Sequence, residues 1–145
     1  MVAYNKFQDF VEQALIAKHD FTAAGHVFKI FLTNEAPLAT DTVKADMVEI
    51  TAGNGYTAGG EDTQNTLAEA TGTATVTGTK VVWTATGGSI GPFRYVVLYN
   101  DTQTAPLDAL VTWWDYGSAL TLLVGETFTV KFNNGDPTGT IFTLA

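Results

Sequence analysis

An antiparallel β-sandwich with one N-terminal α-helix is the fold that this 145-residue sequence predicts, on three observations. Apolar residues keep helical spacing only near the start. After Gly25 the apolar period changes to two, and short alternating runs separated by turn residues continue to the C-terminus. Thr, Gly, Val and aromatic residues are abundant while Lys and Arg together number only seven, a bias toward strands and turns. One helix followed by seven or eight short strands is a sandwich pattern. No internal repeat or linker divides 1–145, which reads as one domain.

The helix is expected over residues 3–19. Phe7, Phe10, Val11, Ala14 and Leu15 fall on one face, and Lys6, Asp9, Glu12, Gln13 and Lys18 fall mainly on the other. Gly25 ends or follows it. Residues 26–34, HVFKIFLTN, read as a strand, apolar on both faces except for Lys29. A loop punctuated by Pro37 runs from Ala36 to Asp46, and the segment Met47 to Thr51 suits either helix or extended chain. EDTQNTLAEA, 61–70, is polar and unperiodic and reads as a long surface connection. TGTATVTGT (71–79) and KVVWTAT (80–86) are expected to form a hairpin about Gly78 and Thr79. In FRYVVLYN (93–100), alternation places Phe93, Tyr95, Val97 and Tyr99 on one face and Val96 and Leu98 on the other. Further strands are expected at 109–117, at 127–132 with Phe128, Val130 and Phe132 inward, and at 140–144. The expected core includes Phe7, Val11, Phe28, Ile30, Trp83, Tyr95, Val97, Phe128 and Val130.

Composition narrows the function classes. Without cysteine the chain has neither disulfides nor thiolate metal sites. The net charge is -8, and the few cations are scattered, Arg94 being the only arginine. A phosphate-binding surface needs clustered cations, so no nucleic-acid partner is expected. The opening MVAYNKFQDFVEQ has no apolar core of signal-peptide length, and no run approaches the ~18 apolar residues of a membrane helix, so neither a membrane partner nor secretion by the usual route is expected.

GNGYTAGG, 53–60, invites comparison with phosphate-cradling loops. A Walker loop needs a lysine after its last glycine, and here Gly60 is followed by Glu61 and Asp62. Gly53, Gly55 and Gly59 do not keep dinucleotide-binding spacing, and no βαβ pattern surrounds them. The stretch reads as a structural turn in which Tyr56 drops its ring onto a neighbour. His19, placed near the helix end where a cation complements the dipole, and His26, opening a strand, both read as structural; no nucleophile elbow accompanies them. Glu61 with Asp62, and Asp101, Asp108 and Asp115, offer carboxylates, read here as a solvated acidic surface. NNGDPTG, 133–139, supplies Asn133, Asn134 and Asp136 as oxygen ligands but lacks the closing glutamate of a calcium loop, and reads as a turn. Trp113 and Trp114 must face opposite sides of a strand. One is expected in the core, the other under the N-terminal helix or at a partner surface. No catalytic, cofactor-binding or metal-binding residue is assigned, and no cofactor.

GNGYTAGG, followed in order by GGSIGPFRYVVLYND, WWDYGS and GETFTV, and preceded by NKFQDFVEQALIAKHDF and FKIFLTNEAP, resembles a family of small tailed-bacteriophage virion proteins. Some members are capsid decoration, or cement, proteins with a jelly-roll fold. The resemblance covers most of the chain and resides in the order of the motifs. It implies a jelly-roll-like, non-enzymatic structural protein made in the bacterial host cytoplasm and placed on the outer surface of the capsid. The implied partners are the phage major capsid protein and the chain itself, as a homodimer or alternatively a homotrimer. It transfers no individual binding residue. The alternatives are another virion component, associated with tail or fibre, and a carbohydrate-binding β-sandwich module.

Overall fold

A computed structural model describes residues 3–145. Its centre is a five-stranded antiparallel sheet, in spatial order β1 (Asn5–Lys6), β8 (Leu110–Leu122), β7 (Ile90–Asn100), β2 (Phe28–Thr33), β3 (Glu61–Asp62). β7 is the middle strand. It pairs Phe31 of β2 with Val97 on one edge, and Val97 with Trp113 of β8 on the other. β-branched and aromatic residues fill it, as a strand with both faces covered requires.

The second layer is one long antiparallel ladder with a break in it. β5 (Thr73–Thr79) and β6 (Val81–Thr84) follow one another in sequence, and β9 (Thr127–Val130) and β10 (Thr138–Leu144) are their partners in reverse order. Thr79 pairs with Thr138, and Val81 with Val130. Between these pairs the Lys80 N–H donates to Pro137 O, at 2.7 Å, and keeps the two halves in line. Residues 131–137 leave the ladder as an excursion containing a 3-10 turn, Phe132–Asn134. β4 (Thr66–Ala70) adds to the far edge of β5 and is exposed along its whole length.

The two layers bury one large core. Phe28, Ile30, Leu32, Val96, Leu98 and Val111 face Val76, Val81, Trp83, Phe132 and Ile141. The opposite face of the five-stranded sheet carries a smaller cluster, in which Phe31, Val97, Tyr99 and Leu110 meet Phe7 and Met47. Neighbours in sequence therefore serve different clusters, as strand alternation dictates. The packing is sandwich-like, mainly β and antiparallel, with a single α-helix. The strands pair as groups of five, three and two, whereas a jelly roll has eight strands in two sheets. The antiparallel sandwich is thus the description that the pairing supports.

Several local expectations are corrected. The helical reading of 3–19 contracts to α1 (Asp9–Leu15). Asn5 and Lys6 instead pair with Trp113 and Thr112 of β8, the Thr112 hydroxyl donates to Asn5 O, and the Phe7 N–H donates to Val111 O. Ala17, at φ 60°, closes the helix well before Gly25. α1 buries Phe10 and Gln13, while Val11, expected in the core, is 42% exposed and Leu15 82%. Of the other expected core residues, Phe7, Phe28, Ile30, Trp83, Tyr95 and Val97 are buried, and Phe128 and Val130 are half-buried against the main core. Residues 71–79 and 80–86 form no hairpin, because they run on as one broken strand. The segment 61–70 holds β3 and β4 rather than a plain connection. Register shifts flank Phe93, which joins Val96 and Leu98 in the main core rather than Val97 and Tyr99. A 3-10 turn, Lys44–Asp46, interrupts the 36–46 loop, and Met47 leaves it extended.

The approach of the glycine stretch to β2 gives a direct test of this packing. Gly60 sits at φ 73°, and a Cβ there would overlap Ile30 O in the middle of β2. Gly72, at φ 83°, has open space around it. Gly60→Ala is expected to cost more than about 2 kcal/mol, combining left-handed strain with a backbone clash, and Gly72→Ala about 1 kcal/mol, from strain alone. Urea unfolding midpoints of the two variants measure the difference.

Candidate functional site

The glycine stretch folds as the turn its composition suggests, and it anchors a polar network. Gly53 and Tyr56 exchange backbone hydrogen bonds, with Asn54 and Gly55 left-handed between them. This directs Tyr56 inward, where its ring lies 6.0 Å from that of Trp83. Its hydroxyl accepts from the Leu32 N–H at 3.0 Å and donates to Glu49 Oε1 at 2.6 Å. Glu49 Oε1 also accepts from the Gly59 N–H, and Oε2 pairs with Lys44 Nζ at 2.6 Å. Lys44 Nζ lies 5.1 Å from the centre of the Phe31 ring and 5.7 Å from that of Tyr99. The Tyr99 hydroxyl donates to Gly59 O or Asp101 Oδ1, and Asp101 pairs with Lys29. Burial, followed by the hydrogen bond to Glu49, raises the Tyr56 phenol above its ordinary value, and burial followed by Asp101 does so for Tyr99. These partners tie the 49–60 segment to β2 and β7. Glu49 and Lys44 carry no sequence signal, because their pairing depends on a tertiary approach.

The two histidines meet at one amide. Asn100, fully buried, directs its Nδ2 to His19 Nδ1 at 3.0 Å and His26 Nδ1 at 2.9 Å. Its Oδ1 accepts from the backbone N–H groups of Thr102 and Gln103, which fixes the orientation of the amide. Both rings therefore accept at Nδ1 from the Asn100 amide. His19 is no helix-terminal cation: α1 ends four residues earlier. Burial, then the neighbouring His26, lowers His19 to about 4 against an opposing effect of Asp9.

The carboxylates singled out in sequence do not gather. Asp115 takes both arms of Arg94 at 2.7 and 2.8 Å. Asp101 pairs with Lys29, and Asp108 is raised by burial and then by Asp101. Glu61 and Asp62 occupy the edge strand β3. In NNGDPTG, Asp136 spends its two oxygens on Lys80 and Lys131, each at 2.6 Å, and is lowered to about 2. No three His, Asp or Glu side chains converge as a metal site among the described residues.

The tryptophans lie on opposite faces, both half-buried. Trp113 packs on Phe7 at 4.5 Å in the smaller cluster, beneath the N-terminal segment. Trp114 faces the main core and lines a cleft of about 400 Å³ at the open side of the sandwich, between β8 and the β9–β10 strand. Tyr4, Tyr116, Phe128 and Phe132 line it with Trp114. Of the residues that sequence singled out, Trp114, Phe128, Val130, Phe132, Asn133 and Asn134 line it, while Trp113 does not.

Two outcomes are expected. Tyr56→Phe strands the buried Leu32 N–H and removes one of the donors to Glu49, and should cost about 1–3 kcal/mol in chemical denaturation. The second is a pH limb. His19 has a lowered folded value, so between about 4 and 6.5 the unfolded chain binds more protons. Stability is complete above 6.5 and falls as pH drops toward 4, by at most about 3–4 kcal/mol at 1.36 kcal/mol per unit. Denaturant midpoints at successive pH values measure it, and His19→Gln should flatten that limb.

No family model, curated protein or solved structure matches this chain.

Proposed function

We propose that this chain is a capsid decoration protein of a tailed bacteriophage, seated on the outer surface of the head and bridging major capsid protein subunits. The resemblance of the motif order to that of small virion proteins suggests the class. The structural observation that carries the reading is an apolar surface on α1: Val11 and Leu15, one helical turn apart, and Ile16 beside them are 42%, 82% and 52% exposed. Exposed apolar side chains held on a rigid element suit attachment to another protein. The charge pattern argues against attachment through nucleic acid. Five of the seven cationic side chains, Lys29, Lys44, Lys80, Arg94 and Lys131, are already paired with carboxylates.

Attachment on this reading is apolar and hydrogen-bonded, because exposed ion pairs contribute only ~0–1 kcal/mol each. A homodimer, or alternatively a homotrimer, grips neighbouring capsomers at raised effective concentration, so individually weak contacts suffice. The role is mechanical: the bridged shell resists internal DNA pressure. Particles stripped of the protein should release DNA at a lower temperature than decorated ones, and attachment should survive moderate salt. Equal release temperatures would refute the cement role. Quantitation of purified particles separates the head reading, with hundreds of copies, from a tail or fibre component present in far fewer. Leu15→Glu, fully at the surface, should abolish attachment without lowering the melting temperature of the free protein.

A further inference from the structure

We infer that the aromatic cleft between β8 and the β9–β10 strand is a binding site for a neutral saccharide. The cleft has a structural origin. The ladder of the second layer would continue from Val130 to Thr138 were it not for the excursion 131–137. That excursion gives up ladder hydrogen bonds and holds two consecutive residues, Asn133 and Asn134, left-handed at φ 45° and 57°. Such strain persists where surrounding structure enforces it, and it gathers at functional sites. Here it brings both asparagines to the rim of the cleft.

The chemistry of the lining selects the ligand. Its volume of about 400 Å³ falls within the ~300–1,000 Å³ range of small-molecule sites. The rings are fixed by their packing: Trp114 lies 6.3 Å from Tyr4 and 5.7 Å from Phe132, and Tyr116 lies 5.7 Å from Phe128. Among the described residues no Asp or Glu lines the cleft, so a cationic ligand meets no counter-charge from them. Among the described lining residues the one cation, Lys131, is held by Asp136 at 2.6 Å, so an anionic ligand gains little from it. The exposed rim carries the amides of Asn133 and Asn134 and the hydroxyls of Thr129 and Thr140, which both donate and accept. A neutral ligand with apolar faces and many hydroxyls matches an aromatic floor with an amide and hydroxyl rim. A pyranose ring has that character: its C–H faces stack on aromatic rings, and its hydroxyls reach the rim.

This inference is independent of the capsid reading, since it concerns the free protein. The test is tryptophan fluorescence of the full chain titrated with cellotriose, maltotriose and chitotriose, and with their monosaccharides. Trp114 is the reporter in the cleft, while Trp83 is buried in the core and Trp113 lies on the opposite sheet face. At least one trisaccharide should give a saturable shift. Tighter binding of the trisaccharide than of its monosaccharide points to a polymer as the source, and equal binding points to a free sugar. Asn133→Gly with Asn134→Gly keeps the left-handed backbone while removing both amides, and should weaken binding at least about tenfold. Tyr116→Ala, at a half-exposed position, should weaken it as well, with thermal midpoints unchanged in both variants. Absence of any shift up to about 10 mM sugar, a range that covers even weak sites, overturns the inference. So does binding that neither variant alters.

Discussion

β7 is covered on both faces, and that constraint organises the molecule. An antiparallel sheet can leave one face to water, but here Val96 and Leu98 enter the main core while Val97 and Tyr99 enter the second cluster. Two coverings are therefore needed. The broken ladder of β5, β6, β9 and β10 supplies one. The other is assembled from pieces too small to stand alone: two residues of β1, Phe7, and the loop through Lys44 and Met47. The Glu49–Tyr56–Lys44 network joins this second covering, through Lys44 over Phe31 and Tyr99, to the main core, which holds the Tyr56 ring. It pins an otherwise irregular segment across β2 and β7 with charge-assisted hydrogen bonds, which are stronger than neutral ones. A loop of that length packed against a sheet must satisfy its own polar groups, and glycines at 59 and 60 permit the close approach.

The same logic explains what sequence could and could not show. The run 93–100 marks β7 because burial of both faces between Tyr95 and Tyr99 makes those five positions apolar or aromatic. The strand expected at 26–34 is legible for the same reason, since β2 is buried along almost its whole length, whereas β9 is legible by true alternation, with Thr127 and Thr129 exposed and Phe128 and Val130 half-buried. The helix is over-read because Phe7 and Phe10 fit a helical period by coincidence of spacing: Phe7 belongs to strand pairing with β8 and Phe10 to α1. The predicted hairpin fails because Gly78 is no turn residue here. A Cβ on it would press against Phe132 and Ile141, so the glycine serves close packing within a strand that continues past it. Phe93 changes face through register shifts that no periodic pattern announces. Sequence marked several residues of the cleft separately, Trp114, Phe128, Phe132, Asn133 and Asn134, but not the cleft itself, because its lining comes from the N-terminal segment, β7, β8 and the 128–141 stretch, which only tertiary folding brings together.

Charge and apolar exposure work against each other on this surface, and the balance limits what the protein can do. Ion pairing consumes most of the cations, so the net charge of -8 is carried by unpaired carboxylates spread over the exterior. A surface of one sign keeps copies apart and soluble. The same surface exposes Leu15 and Ile16 at the end of α1, and β4 leaves an open edge of five exposed residues, features that favour association. Non-specific aggregation is opposed by repulsion at every orientation, whereas one orientation that buries α1 against a complementary partner overcomes it. Association is thereby restricted to partners that match both shape and charge. The proposed decoration role would call for that restriction, since such a protein must stay dispersed until a finished shell presents its repeated sites.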